Sequence, residues 1–139
     1  MVGILWQAGN RAAAVELEGL WNELLARETC RLFCGYPIDV FGDDFRPADL
    51  DGVLCAHTHL VPGLGGDALG SAVDRAMDDV LAGSSAEMRR LMKPNYRPAW
   101  AAIPRGEGLV LWIRNNLPNA ASDILERAKA YYRGAVFAD

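Results

Sequence analysis

The stretch Cys30-Arg31-Leu32-Phe33-Cys34-Gly35-Tyr36, continued by Pro37-Ile38-Asp39-Val40-Phe41, decides how the rest of the chain is assembled. Apolar and aromatic side chains crowd a run bounded by Gly35 and Pro37, the composition of a short buried strand. Period alone does not settle the assignment. Upstream, Leu17, Leu20, Trp21, Leu24 and Leu25 recur at helical spacing while Glu16, Glu18, Glu23 and Arg27 face elsewhere, so an amphipathic helix is predicted over 11–28. Met1 to Gln7 reads as the end of a helix whose beginning is missing, closed by the turn signal Gly9-Asn10. Downstream, 37–45 is a loop turning at Gly42-Asp43-Asp44. Pro47 then opens a short helix carrying Leu50, Val53 and Leu54 and ending near His57. His59-Leu60-Val61-Pro62 follows as a second short strand.

Gly63-Leu64-Gly65-Gly66-Asp67 is a flexible break and the expected boundary, dividing the chain into 1–62, a linker 63–67 and a helical extension 68–139. In the extension, Leu69, Val73, Met77, Val80 and Leu81 mark one helix, and Ala86 to Met92 a short second one before Pro94. Three prolines with Tyr96 and Trp100 make 94–104 an irregular segment. Leu109, Trp112, Ile113 and Leu117 define a further helix bounded by Pro118, and Ala121, Ile124, Leu125, Ala128 and Tyr132 the last.

Composition narrows the function classes. With 139 residues, 51% of them hydrophobic and 23% charged, the chain suits one ordinary core and does not suggest disorder. The longest apolar runs, such as Leu109 to Ile113, are too short for a bilayer, and Met1 to Gln7 makes a poor signal peptide. Cys30, Cys34 and Cys55 are an odd number, which suits free thiols in a reducing cytoplasm. A net charge of −4 with scattered Lys and Arg argues against nucleic acid as a partner.

Three pieces together carry a family likeness: Leu20-Trp21-Asn22-Glu23-Leu24, then Leu32 through Phe41, then Cys55-Ala56-His57-Thr58-His59-Leu60-Val61. Their order resembles the carboxy-terminal half of the MEDS domain, the methanogen/methylotroph DcmR sensory domain, over 1–62. The resemblance implies an α/β fold, a partial RecA-like (P-loop-ATPase-like) half-domain with a short parallel sheet. It also implies a bacterial sensory role beside a histidine kinase or regulator, with a small hydrocarbon derivative as ligand. The departures are an absent earlier βαβ half and the lack of any G-x-x-x-x-G-K-[ST] pattern, so ATP hydrolysis is not expected.

Several side chains offer chemistry. Tyr36, Phe41, His57 and His59 are the candidate ligand-binding residues, since aromatics supply apolar area and a hydroxyl or ring nitrogen orients a ligand; Trp21 and Phe33 read instead as core. Cys34, Cys55, His57 and His59 are ligand types that zinc accepts, but helical or strand spacing keeps the four apart, and buried thiols beside a helix-end histidine pair are the simpler reading. A redox or pH response of a thiol beside a histidine is a further reading. Asp39, Asp43, Asp44, Asp49 and Asp51 lack the calcium-loop pattern and suit turns and helix starts. No G-x-S-x-G is present, and Cys34 with His57 lacks an evident third group, so neither catalysis nor a cofactor is expected. Tyr96, Trp100 and Arg114 are the candidate partner-facing residues. The sequence thus points to a sensory or regulatory ligand-binding module. The alternatives are an interaction half-domain that dimerises and a zinc or redox-thiol protein.

Overall fold

Helices form wherever the apolar period is long enough to give each one a face to bury. The computed structural model describes residues 1–61, 67–92 and 103–137. Among these residues the helices in chain order are α1 (Val2–Gln7), α2 (Arg11–Leu25), α3 (Pro47–Ala56), α4 (Ala68–Leu81), α5 (Ser85–Leu91), α6 (Arg105–Asn116) and α7 (Pro118–Val136), with a 3-10 turn at Ala82–Ser84. Gly9 takes a positive φ of 76°, which closes α1, and the Asn10 side chain then accepts from the Ala13 N–H to start α2. Proline occupies the first turn of both α3 and α7, where its missing N–H costs nothing.

The centre of the molecule is a stack of α4, α6 and α7. On α4, Leu69, Ala72, Val73, Ala76 and Met77 make one buried stripe, and it meets Val110, Leu111 and Ile113 of α6 and Ile124, Leu125 and Ala128 of α7. Trp6, Ala14, Phe45, Leu50, Val53 and Leu54 join the same buried cluster from α1, α2, α3 and the loop before α3. Side chains from both sides of residues 63–67 therefore share one core. Of that proposed linker only Asp67 lies among the described residues.

The expected parallel sheet does not exist: among the described residues there is no strand, and the fold is all helical. The α/β, RecA-like reading is thereby overturned, together with the strands at 30–36 and at His59–Pro62; Pro62 itself lies outside the described residues. Part of the reason is visible along 33–40. Cys34, Tyr36, Ile38 and Val40 are partly buried and alternate with exposed Phe33, Gly35, Pro37 and Asp39, a two-residue period without a second strand to pair with. Pro37 cannot donate, and the Ile38 N–H turns back to the Tyr36 carbonyl at 2.9 Å in a three-residue turn. Phe33, placed in a buried strand by the sequence, is 83% exposed. The helix stack leaves the segment only the role of a strap across α2 and α3.

The α2 face also differs from expectation. Leu20 and Leu24 are 58% and 44% exposed, while Ala14 and Glu18 point inward. α1 and α3 pack on α2 from the Ala14–Glu18 side, so the leucine count did not decide the orientation.

α4 and α6 approach closely enough to exclude side chains at their contact. A Cβ at Gly106 would stand 2.8 Å from the Gly70 nitrogen and from Leu69 Cβ. Arg105, next to it, pairs with Asp67 at 2.8 Å and with Asp74, and Arg89 pairs with Asp78 at 2.6 Å and Asp74 at 3.3 Å. These bonds tie α5 and α6 to the polar side of α4. Gly106→Ala is expected to destabilise the fold by about 1–3 kcal/mol through overpacking, despite the helix propensity gained. Gly134→Ala, on an exposed turn of α7 with no atom within 4 Å of the added methyl, should stabilise by up to about 1 kcal/mol. Urea unfolding of the pair measures the opposite signs.

Candidate functional site

The inward turn of α2 buries a carboxylate, and the site is built around it. Glu18 is 2% exposed. An isolated buried carboxylate is costly, so its oxygens must find donors. Tyr36 donates its hydroxyl to Oε1 at 2.6 Å and Cys34 its thiol to Oε2 at 3.4 Å, both reaching in from the strap. His57, at the end of α3, brings Nε2 to 3.6 Å from Oε1. Two separate pieces of chain thus converge on one side chain of a third.

The imidazole is oriented from behind. Its Nδ1 lies 2.7 Å from the Val53 carbonyl oxygen, and since a carbonyl only accepts, Nδ1 carries the proton. In the neutral ring Nε2 then turns its lone pair toward Glu18. Tyr36 is held edge-on between Trp6, at 5.4 Å between ring centroids, and His57, at 6.0 Å. Burial, and next the Glu18 carboxylate accepting its proton, push the Cys34 thiol up to about 11. The same two causes in the same order push the Tyr36 hydroxyl well above its ordinary value. Both groups keep their protons and serve as donors at neutral pH.

Cys34, Tyr36 and His57 border a cavity of about 790 Å³. Its walls are chiefly apolar, with Phe45, Leu50, Val53, Leu54, Leu60 and Leu111 among them. A smaller cavity of about 460 Å³ also touches Tyr36 and is lined by Phe41, Lys129 and Tyr132.

The sequence-predicted residues separate accordingly. Tyr36, His57 and His59 line the larger cavity; His59 sits there exposed, with Nδ1 3.1 Å from the Thr58 hydroxyl. Phe41 lines the smaller one, packed on the Tyr132 ring. Of the proposed zinc set, Cys34 and His57 come together, but Cys55 is exposed with its thiol directed at Asp51, and neither it nor His59 joins them. Among the described residues the metal-ligand side chains within reach of one another are Glu18, Cys34 and His57, with all ligand atoms inside 4.8 Å. Arg114, read as partner-facing, turns inward at 13% side-chain exposure and donates to the Phe41 and Gly42 carbonyls at 3.0 and 2.8 Å. Tyr96 and Trp100 lie outside the described residues. The acidic group behaves as turn and helix-start chemistry: Asp39 accepts from the Phe41 N–H, and Asp44 and Asp49 hold Arg11.

No family model, curated protein or solved structure matches the chain. What the site does is decided by its own atoms.

Glu18 is the residue that sequence reasoning missed. The leucines of the same helix outweighed it, and its one signal was register: it lies four residues after Ala14 and three before Trp21, on the face opposite Leu20 and Leu24.

Replacing Tyr36 with Phe removes the shortest bond to a buried acceptor and should cost roughly 1–3 kcal/mol in urea unfolding. Alkylation under chelator at neutral pH provides a second check. Cys30 and Cys55 are exposed, and Cys34, with roughly a hundredfold less thiolate than an ordinary thiol, should label last by a similar factor. Mass spectrometry of the labelled peptides reads the order.

Proposed function

We propose that the chain is a sensory or regulatory module that binds a small, mainly apolar compound in the larger cavity and acts through a histidine kinase or regulator partner in the bacterial cytoplasm. The observation that carries this reading is the pairing of an apolar chamber with a few convergent polar groups at its edge. Its volume, about 790 Å³, falls in the range of small-molecule sites, about 300–1,000 Å³. The Tyr36 hydroxyl, the Cys34 thiol and the His57 ring offer a ligand one polar anchor, and Leu50, Leu54 and Leu60 offer it apolar area. The motif likeness to sensory domains points the same way, without the sheet that family would bring. Binding is favoured over catalysis because a thiol pushed up to about 11 is a poor nucleophile at neutral pH. No helix among the described residues is long and apolar enough to cross a membrane.

Butanol, hexanol and cyclohexanol are suitable probes. A ligand at a hundred times its Kd adds about 2.7 kcal/mol to the folded state, so thermal unfolding should rise with probe concentration. Leu60→Trp, which puts an indole into the chamber, should abolish the rise while leaving the helix content unchanged. If none of the three probes shifts unfolding in the parent protein, the ligand reading falls.

A second reading rests on the exposed Leu20 and Leu24, one turn apart on α2. Such a face suits an isologous contact with a second copy of this chain. Sedimentation should then show a concentration-dependent dimer that Leu20→Gln with Leu24→Gln converts to monomer; a parent protein that stays monomeric removes this reading.

A further inference from the structure

Glu18, Cys34 and His57 each meet the others through the atom a transition metal would use. We propose that these three side chains form a binding site for one zinc-class divalent ion, through a carboxylate, a thiolate and an imidazole, with the remaining coordination position turned toward the larger cavity. Zinc takes sulfur at about 2.3 Å and nitrogen or oxygen at about 2.0–2.1 Å, so neighbouring ligand atoms around a tetrahedral ion stand roughly 3.3–3.6 Å apart. Cys34 Sγ lies 3.4 Å from Glu18 Oε2 and His57 Nε2 lies 3.6 Å from Oε1, so the thiol and the imidazole each stand at about that spacing from one of the two carboxylate oxygens. All the ligand atoms lie within 4.8 Å of one another, so the widest edge needs to close by little more than about 1 Å.

The surroundings match what such a site needs behind its ligands. Metal-bound histidines pass their other N–H to a carbonyl or carboxylate, which fixes the tautomer. Here Nδ1–H already donates to the Val53 carbonyl at 2.7 Å and leaves Nε2 free to ligate. Tyr36 holds the Glu18 carboxylate at 2.6 Å and can keep that bond while an oxygen takes the ion. A mixed sulfur, nitrogen and oxygen set suits zinc better than calcium or magnesium, which take oxygen ligands. On binding, the Zn–S bond forms as the Cys34 thiol loses its proton to water. Three protein ligands with an open fourth position are the pattern of zinc sites that engage a further ligand, and Cys34 and His57 both border the cavity.

The site rests on ligand geometry alone and does not require an organic compound in the cavity. Metal binding without alcohol binding, or the reverse, separates the two proposals.

The test uses the full chain without an affinity tag, stripped with chelator and titrated with zinc or cobalt alone. The expected result is one equivalent of zinc retained through dialysis. With cobalt, a thiolate charge-transfer band and intense visible ligand-field bands should report a tetrahedral, sulfur-bound ion. Cys34→Ser should abolish the charge-transfer band and weaken zinc by on the order of a hundredfold or more, and Tyr36→Phe by roughly 10- to 100-fold. Cys55→Ser should leave both readouts unchanged. His57→Gln repeats the test should Cys34→Ser fold poorly, and circular dichroism checks each variant. Substoichiometric zinc in the parent protein, or cobalt binding without the thiolate band, overturns the proposal. So does an equal loss in Cys55→Ser.

Discussion

The Glu18 carboxylate is 2% exposed, and its oxygens find their donors in Tyr36 and Cys34, with His57 beside them. A buried acceptor without donors costs more than the net worth of most single contacts in a domain this size. Tyr36 and Cys34 supply donors only if the strap crosses α2 at one register, and His57 arrives only if α3 ends beside the same spot. One carboxylate therefore couples a helix, an irregular segment and a helix end. The larger cavity is bordered by all three, through Leu25 of α2, the strap and α3, so its shape depends on the same bonds.

The stack of α4, α6 and α7 plays a different part. Its contacts are apolar and close, with Gly106 set against Gly70 and Leu69, and they hold together without reference to the polar site. Arg105 and Arg89 fasten its outer side through Asp67, Asp74 and Asp78. The Ser85 hydroxyl and then Arg89 hold the Asp78 carboxyl below its usual range, although its exposure keeps the stabilising effect small. Leu111 of α6 forms part of the cavity wall, which is how the stack and the polar cluster meet. A rigid wall on one side and a strap held by side-chain bonds on the other is an arrangement in which occupancy can alter the strap more readily than the stack.

Arg114 shows how a surface reading and a packing role can be confused. An arginine in the last turn of α6 suits a helix end, and near aromatic residues it suits an interface. Here burial lowers its pKa, while Asp43, Asp39 and Asp44 oppose that effect. Its guanidinium closes the turn at Phe41 and Gly42, giving both carbonyls a donor.

Much of the helical layout was legible in the residues themselves. The stripe from Leu69 to Met77, Pro47 and Pro118 at helix starts, the Gly9-Asn10 turn and the alternation around Tyr36 are local patterns, and backbone geometry acts on them locally. Sequence also singled out Tyr36 and His57, whose rings the structure brings to 6.0 Å. It did not place Glu18, because which face of α2 turns inward depends on α1 and α3 packing against it, and Leu20 and Leu24 favour the other face by hydrophobicity. Nor did it exclude a sheet: an alternating run becomes a strand only when a second one lies beside it, and pairing between distant segments is a tertiary event. Residue types and their periods determined the helices and supplied the polar side chains of the strap and of the α3 end. Only the packed structure decided that the strap would find side chains instead of a neighbouring strand, and that a carboxylate would be the group they gather around.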